Sequence, residues 1–419
     1  MEGETRPKSD ENLANPNKES TKEQLPSKLS SKTKIIIASV CVAVVVVVIV
    51  VVVVVVVTKK NNDDEENVPS YYLSDRICET IEGKEYCYRK VNVSYEHYIF
   101  DLSDEVSRTH VSYRNRYGIQ LAADLYTPKN LDTTKKYSGI VIGPPYGGVK
   151  EQGPGVYANE LAKRGFVALT FDPSFNGESG GLYKHVSSSD IFVEDFSAGV
   201  DYLGTLNYIN RERIGGIGIC GSGGFILGAA AVDARIKAVV TSALYDIPDL
   251  NGINFDNDEW QSSIASLKTA RWNDVDKGTP SYTTFYIPDR EYENIGPNIG
   301  NLFNWEEWSS FYSTKTGHHP RSIGGFTDTS FSSIGNIPVT THIDKISPRP
   351  ILFITGDIAH SKEYSEQLYA KANEPKELYV VNGNTKHVDL YYDTNKIPFD
   401  KIEEFFNSYL NGVISEKNS

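Results

Sequence analysis

The sequence predicts an α/β fold with a doubly wound, mostly parallel sheet, an inserted cap and one preceding transmembrane helix. Three observations support this prediction. Short apolar runs alternate with helical patterns along most of the chain, and these runs are continuous, as in strands that are buried on both faces. The alternation is interrupted at about 247–340. Residues 35–57 form an apolar run without a single charge.

The N-terminal part of the chain is predicted to anchor it in a membrane. Residues 1–34 are rich in Lys, Glu, Ser, Pro and Asn and predict a disordered tail. Residues 35–57 are long enough to cross a bilayer, which needs roughly 20 apolar residues. Several lysines precede this span, whereas acidic residues soon follow Lys59 and Lys60, so the tail is predicted to be cytoplasmic.

A polar segment, residues 58–90, is predicted to be a stalk between the membrane and the folded domain. Cys78 and Cys87 flank a Glu-Gly turn, which predicts a hairpin closed by a disulfide. Asn92 begins an Asn-Val-Ser glycosylation sequon. A disulfide and a glycan both belong to an extracytoplasmic compartment, so we expect a single-pass membrane protein with its main domain outside the cytosol.

Residues 91–419 carry the repeating strand and helix pattern. The predicted strands are 119–128, 137–145, 166–174, 213–220, 237–246, 350–356 and 377–383. The predicted helices are 155–165, 193–209, 224–234, 361–373 and 399–413. Strands that alternate with helices predict a parallel sheet covered on both faces.

The stretch from about 247 to 340 is too long for a simple loop. It has helical patterns at 258–272 and 302–313 and all four tryptophans of the chain. Ligands of such sheets bind beyond the carboxyl ends of the strands. We therefore interpret this stretch as a cap inserted over those strand ends.

A sharp corner between a predicted strand and helix carries the chemistry. The sequence "RIGGIGICGSGG" ends a strand in small residues and leads into a helix, which is typical of a nucleophile elbow. The strand register favours Cys220 as the nucleophile, and Ser222 is the alternative. A helix N-terminus at this point would lower the pKa of a thiol and stabilise an oxyanion.

The remaining catalytic groups are predicted from their order along the chain. His387 follows the last predicted strand, where the base of such a triad belongs. Asp357, directly after strand 350–356, is the first candidate for the acid, and Asp246 is the second. The backbone N–H groups of Gly221 and Tyr146 are the predicted oxyanion donors, because the two prolines before Tyr146 have no N–H.

Five motifs, taken in order, resemble those of α/β-hydrolases of the dienelactone-hydrolase-like esterase group. They are "GPPYGGVKEQ", "FDPSFNGESGG", "RIGGIGICGSGG", "ISPRPILFITGDIAHS" and "KHVDLYYD". The resemblance covers roughly residues 100–415 and implies an acyl-enzyme hydrolase with Cys220 as nucleophile and His387 as base. The chain departs from the family pattern at Ala359, where the family places its acid, so both candidate acids stay open.

The sequence thus predicts a membrane-anchored hydrolase of a small-molecule ester, thioester or lactone that needs no metal or organic cofactor. A peptidase of the same fold and a non-catalytic surface protein are the alternatives. The net charge of −13 argues against nucleic-acid binding, because no basic surface is available for phosphates. We also expect the cap to shield Cys220 from oxidation. The oligomeric state is not predicted.

Overall fold

The computed structural model describes residues 76–92, 97–250, 255–283, 285–299 and 303–412. The predicted tail 1–34, the predicted span 35–57 and the first part of the predicted stalk lie outside these ranges. Within them, no helix has the length and apolarity needed to span a bilayer.

An eight-stranded sheet forms the centre of the domain. Its strand order is β13-β12-β8-β7-β5-β6-β4-β3, with parallel pairing from β13 to β6 and antiparallel pairing of β4 and β3. These strands are β3 (Val106–Arg114), β4 (Gln120–Pro128), β5 (Tyr137–Gly143), β6 (Val167–Phe171), β7 (Ile209–Ile219), β8 (Ala238–Ser242), β12 (Ile351–Gly356) and β13 (Lys376–Val381). The predicted mostly parallel sheet is confirmed.

Helices cover both faces of this sheet. Helices α1 and α9 pack together on one face, while α2, α3 and α7 pack on the other. The helices are α1 (Gly153–Lys163), α2 (Ser189–Thr205), α3 (Ser222–Val232), α4 (Asn257–Lys277), α5 (Trp305–Tyr312), α6 (Phe331–Ile334), α7 (Lys362–Lys371), α8 (Asp389–Tyr392) and α9 (Phe399–Leu410). Because both faces are covered, every residue of β6 and β12 is buried, which explains their continuous apolar sequences.

The edge strand β3 did not stand out in the sequence. It alternates Ser, Arg, Thr and His with only a few apolar residues, and most of its side chains are partly or fully exposed. An edge strand needs few buried side chains, so it leaves no apolar run to detect.

A smaller sheet joins the N-terminal hairpin to the segment predicted as the cap. Strands β1 (Arg76–Ile81) and β2 (Lys84–Lys90) pair with Cys78 opposite Cys87, and β2 also pairs with β10 (Arg290–Tyr292). The predicted disulfide between Cys78 and Cys87 is present. The end of the predicted stalk is therefore packed against the folded domain.

The segment between β8 and β12 contains two longer helices with different surroundings. Helix α4 lies on the surface, and none of its residues is buried. Its N-terminus is closed by a capping box in which Asp256 and Glu259 bond each other's backbone N–H groups. Helix α5 instead buries Phe311 and Tyr312. Two short strands of this segment, β9 (Tyr282–Thr283) and β11 (Phe326–Thr327), pair with each other in antiparallel orientation.

Candidate active site

The predicted corner lies where β7 ends and α3 begins. Cys220 connects the two with a φ of 55°, in the left-handed region that a residue with a side chain rarely adopts. The turn is tight: a Cβ at Gly218 would lie 2.2 Å from the carbonyl oxygen of Ser222. Such strain is typical of functional sites, and here it turns the cysteine side chain out of the sheet at a helix N-terminus.

The Cys220 thiol is buried among hydrogen-bond donors. Its side chain is only 4% exposed. Burial raises the pKa of this thiol to about 11, although hydrogen bonds from the Tyr391 hydroxyl and from the N–H groups of Tyr146 and Gly221 act in the opposite direction. The structure therefore brings both predicted oxyanion donors to the predicted nucleophile.

The alternative nucleophile, Ser222, lies in a different environment. Its hydroxyl oxygen is 2.7 Å from the position that a Cβ at Gly143 would occupy, close to the Phe196 ring. It also lines a small void with aromatic side chains of α2 and α3. The two side-chain partners of His387 are Ser361 and Tyr391, so Ser222 is not positioned to use that base.

His387 is fully buried and held at both ring nitrogens. Nε2 is 2.7 Å from the Tyr391 hydroxyl, and Nδ1 is 2.6 Å from Oγ of Ser361. Burial, together with the neighbouring His360, holds the pKa of His387 well below its usual value. Cys220 and His387 are thus connected through Tyr391, which contacts both side chains.

Neither predicted acid contacts His387. The Asp357 carboxylate accepts hydrogen bonds from the backbone N–H groups of Gly383, Asn384 and Thr385, at 3.1, 3.1 and 2.6 Å. These bonds, that from Thr385 foremost, lower its pKa. Asp357 thus fixes the loop that leads to His387, and in this structure it is not the partner of the imidazole.

The second candidate acid, Asp246, is occupied elsewhere. It accepts a hydrogen bond from the Thr340 hydroxyl at 2.5 Å, and burial raises its pKa. The position that an acid was expected to take beside Nδ1 of His387 is held by the Ser361 hydroxyl.

Sequence reasoning assigned no role to Ser361 or Tyr391. Tyr391 lies four residues after His387, a spacing that puts two side chains on one face of a helical turn, so it was detectable in "KHVDLYYD". Ser361 gave no comparable signal, because its approach to His387 depends on how two separate loops meet.

Aromatic side chains of the segment between β8 and β12 cover the site. The Trp308 ring lies 4.9 Å from that of His387, and Tyr286 stacks on Tyr312 at 4.9 Å. Burial and, after it, the proximity of Cys220 raise the pKa values of Tyr286 and Tyr312. We call Tyr286, Trp308 and Tyr312 the aromatic lid.

Polar contacts attach the aromatic lid to the loop that carries the predicted base. Glu307, next to Trp308, accepts the backbone N–H of Val388 at 3.1 Å. Its carboxylate also lies 3.6 Å from Nε2 of His360, whose Nδ1 is 2.6 Å from the Tyr245 hydroxyl. Burial lowers the pKa of His360 to about 4. The lid and the histidine loop are therefore fixed to each other in this closed arrangement.

A buried ion-pair network supports the loop that carries Tyr146. Oxygen atoms of Glu151, Asp172 and Glu178 lie within 4.8 Å of one another, as they would around a cation. The Lys150 ammonium group, itself fully buried, contacts all three carboxylates, and Arg321 also contacts Glu151. These two cations offset two of the three negative charges, and the cluster is a buried ion-pair network beside the loop of Tyr146.

Comparison with known proteins identifies relatives of the chain. No protein-family model matches it. The uncharacterized protein PA2218 of Pseudomonas aeruginosa is 46% identical over 318 residues, which are 74% of this chain and 83% of that protein. The uncharacterized protein YcjY of Escherichia coli K12 is 33% identical over 299 residues, 69% of this chain and 93% of that protein.

Solved structures agree with these relationships. The crystal structure of PA2218 superposes with a TM-score of 0.71 at 44% identity and covers 77% of this chain and 99% of that one. The α/β hydrolase GrgF from a Penicillium species superposes with a TM-score of 0.61 at 18% identity and covers 73% and 99% of the two chains. The latter likeness shows the fold, and the resemblance read from the five motifs is confirmed. The chain has the α/β-hydrolase fold and belongs to the family that includes PA2218 and YcjY.

Proposed function

We propose that this protein is a hydrolase that cleaves a carboxylic ester, a thioester or a lactone through an acyl-enzyme on Cys220. One observation supports this most directly. Cys220 occupies the strained corner between β7 and α3, and the N–H groups of Tyr146 and Gly221 both interact with its sulfur. A nucleophile beside two converging donors is what acyl transfer requires.

The reaction follows from this geometry. His387 takes up the thiol proton, and the thiolate attacks the substrate carbonyl carbon. The oxygen of that carbonyl becomes an oxyanion next to the sulfur, where the N–H groups of Gly221 and Tyr146 stabilise it. His387 then returns the proton to the leaving group, and a water molecule activated by the same histidine hydrolyses the acyl-enzyme.

The closed lid defines the resting form of this enzyme. A thiol with a pKa of about 11 and a histidine with a strongly lowered pKa are both neutral near pH 7. A substrate must displace the aromatic lid to reach Cys220, because the thiol is only 4% exposed. The aromatic rings of the lid favour an apolar or planar acyl group on a small molecule.

We further propose that the enzyme is held at a membrane by residues 35–57 and works outside the cytosol. The charge-free apolar composition of that run supports an anchor. The Cys78–Cys87 disulfide and the exposed Asn92 of the sequon support an oxidising, extracytoplasmic compartment.

The test is hydrolysis of p-nitrophenyl esters of increasing chain length by the full-length protein in detergent. We expect turnover that is lost in Cys220→Ala, with a covalent acyl group on Cys220 of the native protein by mass spectrometry. Ser222→Ala is the matched control and should retain turnover. Turnover that survives in Cys220→Ala would refute the proposed nucleophile. No turnover and no acylation in folded native protein would favour a non-catalytic role.

A further inference from the structure

We propose that Tyr391 is the proton relay between the Cys220 thiol and His387, so that the working unit is Cys-Tyr-His. This inference rests on the proposed function, because it assigns the route of the proton in that reaction. The Tyr391 hydroxyl interacts with the Cys220 sulfur and hydrogen-bonds to Nε2 of His387, so in this proposal Tyr391 acts directly on a reacting atom.

The position of Tyr391 supports this role. Its hydroxyl is 2.7 Å from Nε2 of His387 and within hydrogen-bonding reach of the Cys220 sulfur. Its side chain is fully buried. Two partners of the hydroxyl are therefore groups of the proposed mechanism, and the Tyr312 hydroxyl of the aromatic lid is a third.

Packing fixes this hydroxyl in place. The Tyr391 ring meets the Phe311 ring edge to face at 5.2 Å, and Tyr312 and Trp308 lie within 6.3 and 6.5 Å of it. Tyr391 lies in the short helix α8, which contains only Asp389–Tyr392. A buried ring held on several sides cannot leave the line between sulfur and imidazole without opening the lid.

The hydrogen bond at the far side of the imidazole sets the direction of transfer. Nδ1 of His387 lies 2.6 Å from Oγ of Ser361. When Nδ1 carries the proton and donates it to this oxygen, Nε2 is a free acceptor. The Tyr391 hydroxyl then donates to Nε2, and its oxygen keeps lone pairs to accept the S–H of Cys220.

The relay step is balanced in protons and electrons. The S–H bond of Cys220 breaks and its proton forms a new O–H bond on Tyr391, while the original O–H bond of Tyr391 breaks and its proton forms an N–H bond at Nε2 of His387. The products are a thiolate, an unchanged neutral tyrosine and an imidazolium. No oxidant or reductant takes part.

The environment favours a relay over a charged tyrosine. Burial, followed by the nearby Cys220 charge, raises the pKa of Tyr391 well above its usual value, so a phenolate does not accumulate. After transfer, the hydroxyl of Tyr391 donates to the thiolate together with the N–H groups of Tyr146 and Gly221. The same tyrosine thus passes the proton and stabilises the nucleophile that results.

The test compares Tyr391→Phe with Tyr392→Phe in the full-length protein. Tyr392 is the next residue of α8 and stacks on the other side of the same region, against Phe311 at 5.7 Å. Alkylation of Cys220 by iodoacetamide is followed from pH 6 to 10 by peptide mass spectrometry. Acylation by p-nitrophenyl acetate is followed in mixtures of H2O and D2O. Thermal unfolding reports that each variant is folded.

We expect Tyr391→Phe to slow acylation near pH 7 by about 100-fold or more, as loss of a general acid–base group does. The alkylation profile should shift to higher pH, and the curved dependence of the acylation rate on D2O fraction should become linear. Tyr392→Phe should leave all three unchanged. These last two readouts would not respond to a merely structural role.

Two outcomes would overturn the relay. One is a Tyr391→Phe protein with native rate and native pH profile, and the other is a faster protein, which would make Tyr391 a plug over the thiol. Failure of the relay leaves Cys220→Ala inactive. Failure of the proposed function instead leaves Cys220→Ala active or the native protein without acylation, so the two failures are distinguishable.

Discussion

Replacement of the group beside Nδ1 of His387 tests whether Ser361 or Asp357 is the partner of the imidazole during catalysis. The perturbation is Ser361→Ala, with Asp357→Asn as the matched comparison. The Ser361 hydroxyl is fully buried and lies 2.6 Å from Nδ1. Its removal leaves a buried imidazole nitrogen without a partner, which costs about 1–3 kcal/mol. If that cost falls on the transition state, kcat decreases by about 5- to 150-fold.

Asp357→Asn should behave differently. The Asp357 carboxylate binds three backbone N–H groups of the loop 383–385 and does not contact His387. We expect a lower unfolding temperature, because an amide cannot satisfy the three donors as well as a carboxylate. We also expect kcat to remain within about threefold of the native value, whereas removal of a true triad acid decreases kcat by about 10⁴-fold.

The assay is steady-state hydrolysis of the best p-nitrophenyl ester, together with thermal unfolding of both variants. The reasoning is refuted by the reverse pattern. If Asp357→Asn loses a thousandfold or more in kcat and Ser361→Ala loses nothing, then Asp357 reaches Nδ1 during turnover, and the contact of Ser361 with His387 is not part of catalysis.

Two further predictions concern the buried ionisable groups. Burial lowers the pKa of His318 to about 4, below its unfolded value of about 6.5, so the folded state favours the neutral imidazole. The folded protein is therefore fully stabilised by this group above about pH 6.5, and that stabilisation is lost as the pH falls towards 4. At pH 5 this amounts to about 2 kcal/mol, so His318→Gln should reduce the decrease in unfolding free energy between pH 7 and 5 by that amount in urea titrations; an unchanged decrease would show that His318 does not titrate in this range. A bulky maleimide should label Cys220 far more slowly in the native protein than in urea, because a pKa of about 11 leaves roughly 300-fold less thiolate at pH 7.4 than an ordinary thiol has, and the lid blocks access; rapid native labelling would contradict the closed lid.

The sequence predicted those parts of the site that a single local stretch encodes. The corner at Cys220 is one such part, because strand and helix lie so close at Gly218 that the turn requires small residues at consecutive positions. The mostly parallel sheet covered on both faces and the place of His387 after β13 follow from the alternation of elements. The approach of both oxyanion donors to the sulfur also agrees with the motifs.

The partner of the imidazole could not be predicted in this way. It depends on how the loop after β12 meets the loop after β13, and these loops run so close that a Cβ at Gly356 would lie 2.1 Å from the carbonyl oxygen of Thr385. Because the two loops are so close, the Asp357 carboxylate accepts a hydrogen bond from the backbone of the second loop. The Ser361 hydroxyl is then the group that contacts Nδ1 of His387. The position directly after β12 therefore identified Asp357 as the acid, but its carboxylate oxygens accept hydrogen bonds from the backbone of the loop 383–385.

The closed site explains how the Cys220 thiol can remain un-ionised before a substrate arrives. Burial makes ionisation of the thiol unfavourable, while the donors that would stabilise a thiolate or an oxyanion are already in place. An arriving carbonyl group changes this balance, since attack transfers the negative charge from sulfur to an oxygen that these donors can hold. The thiolate then needs to exist only during attack, which limits the time in which it could be oxidised.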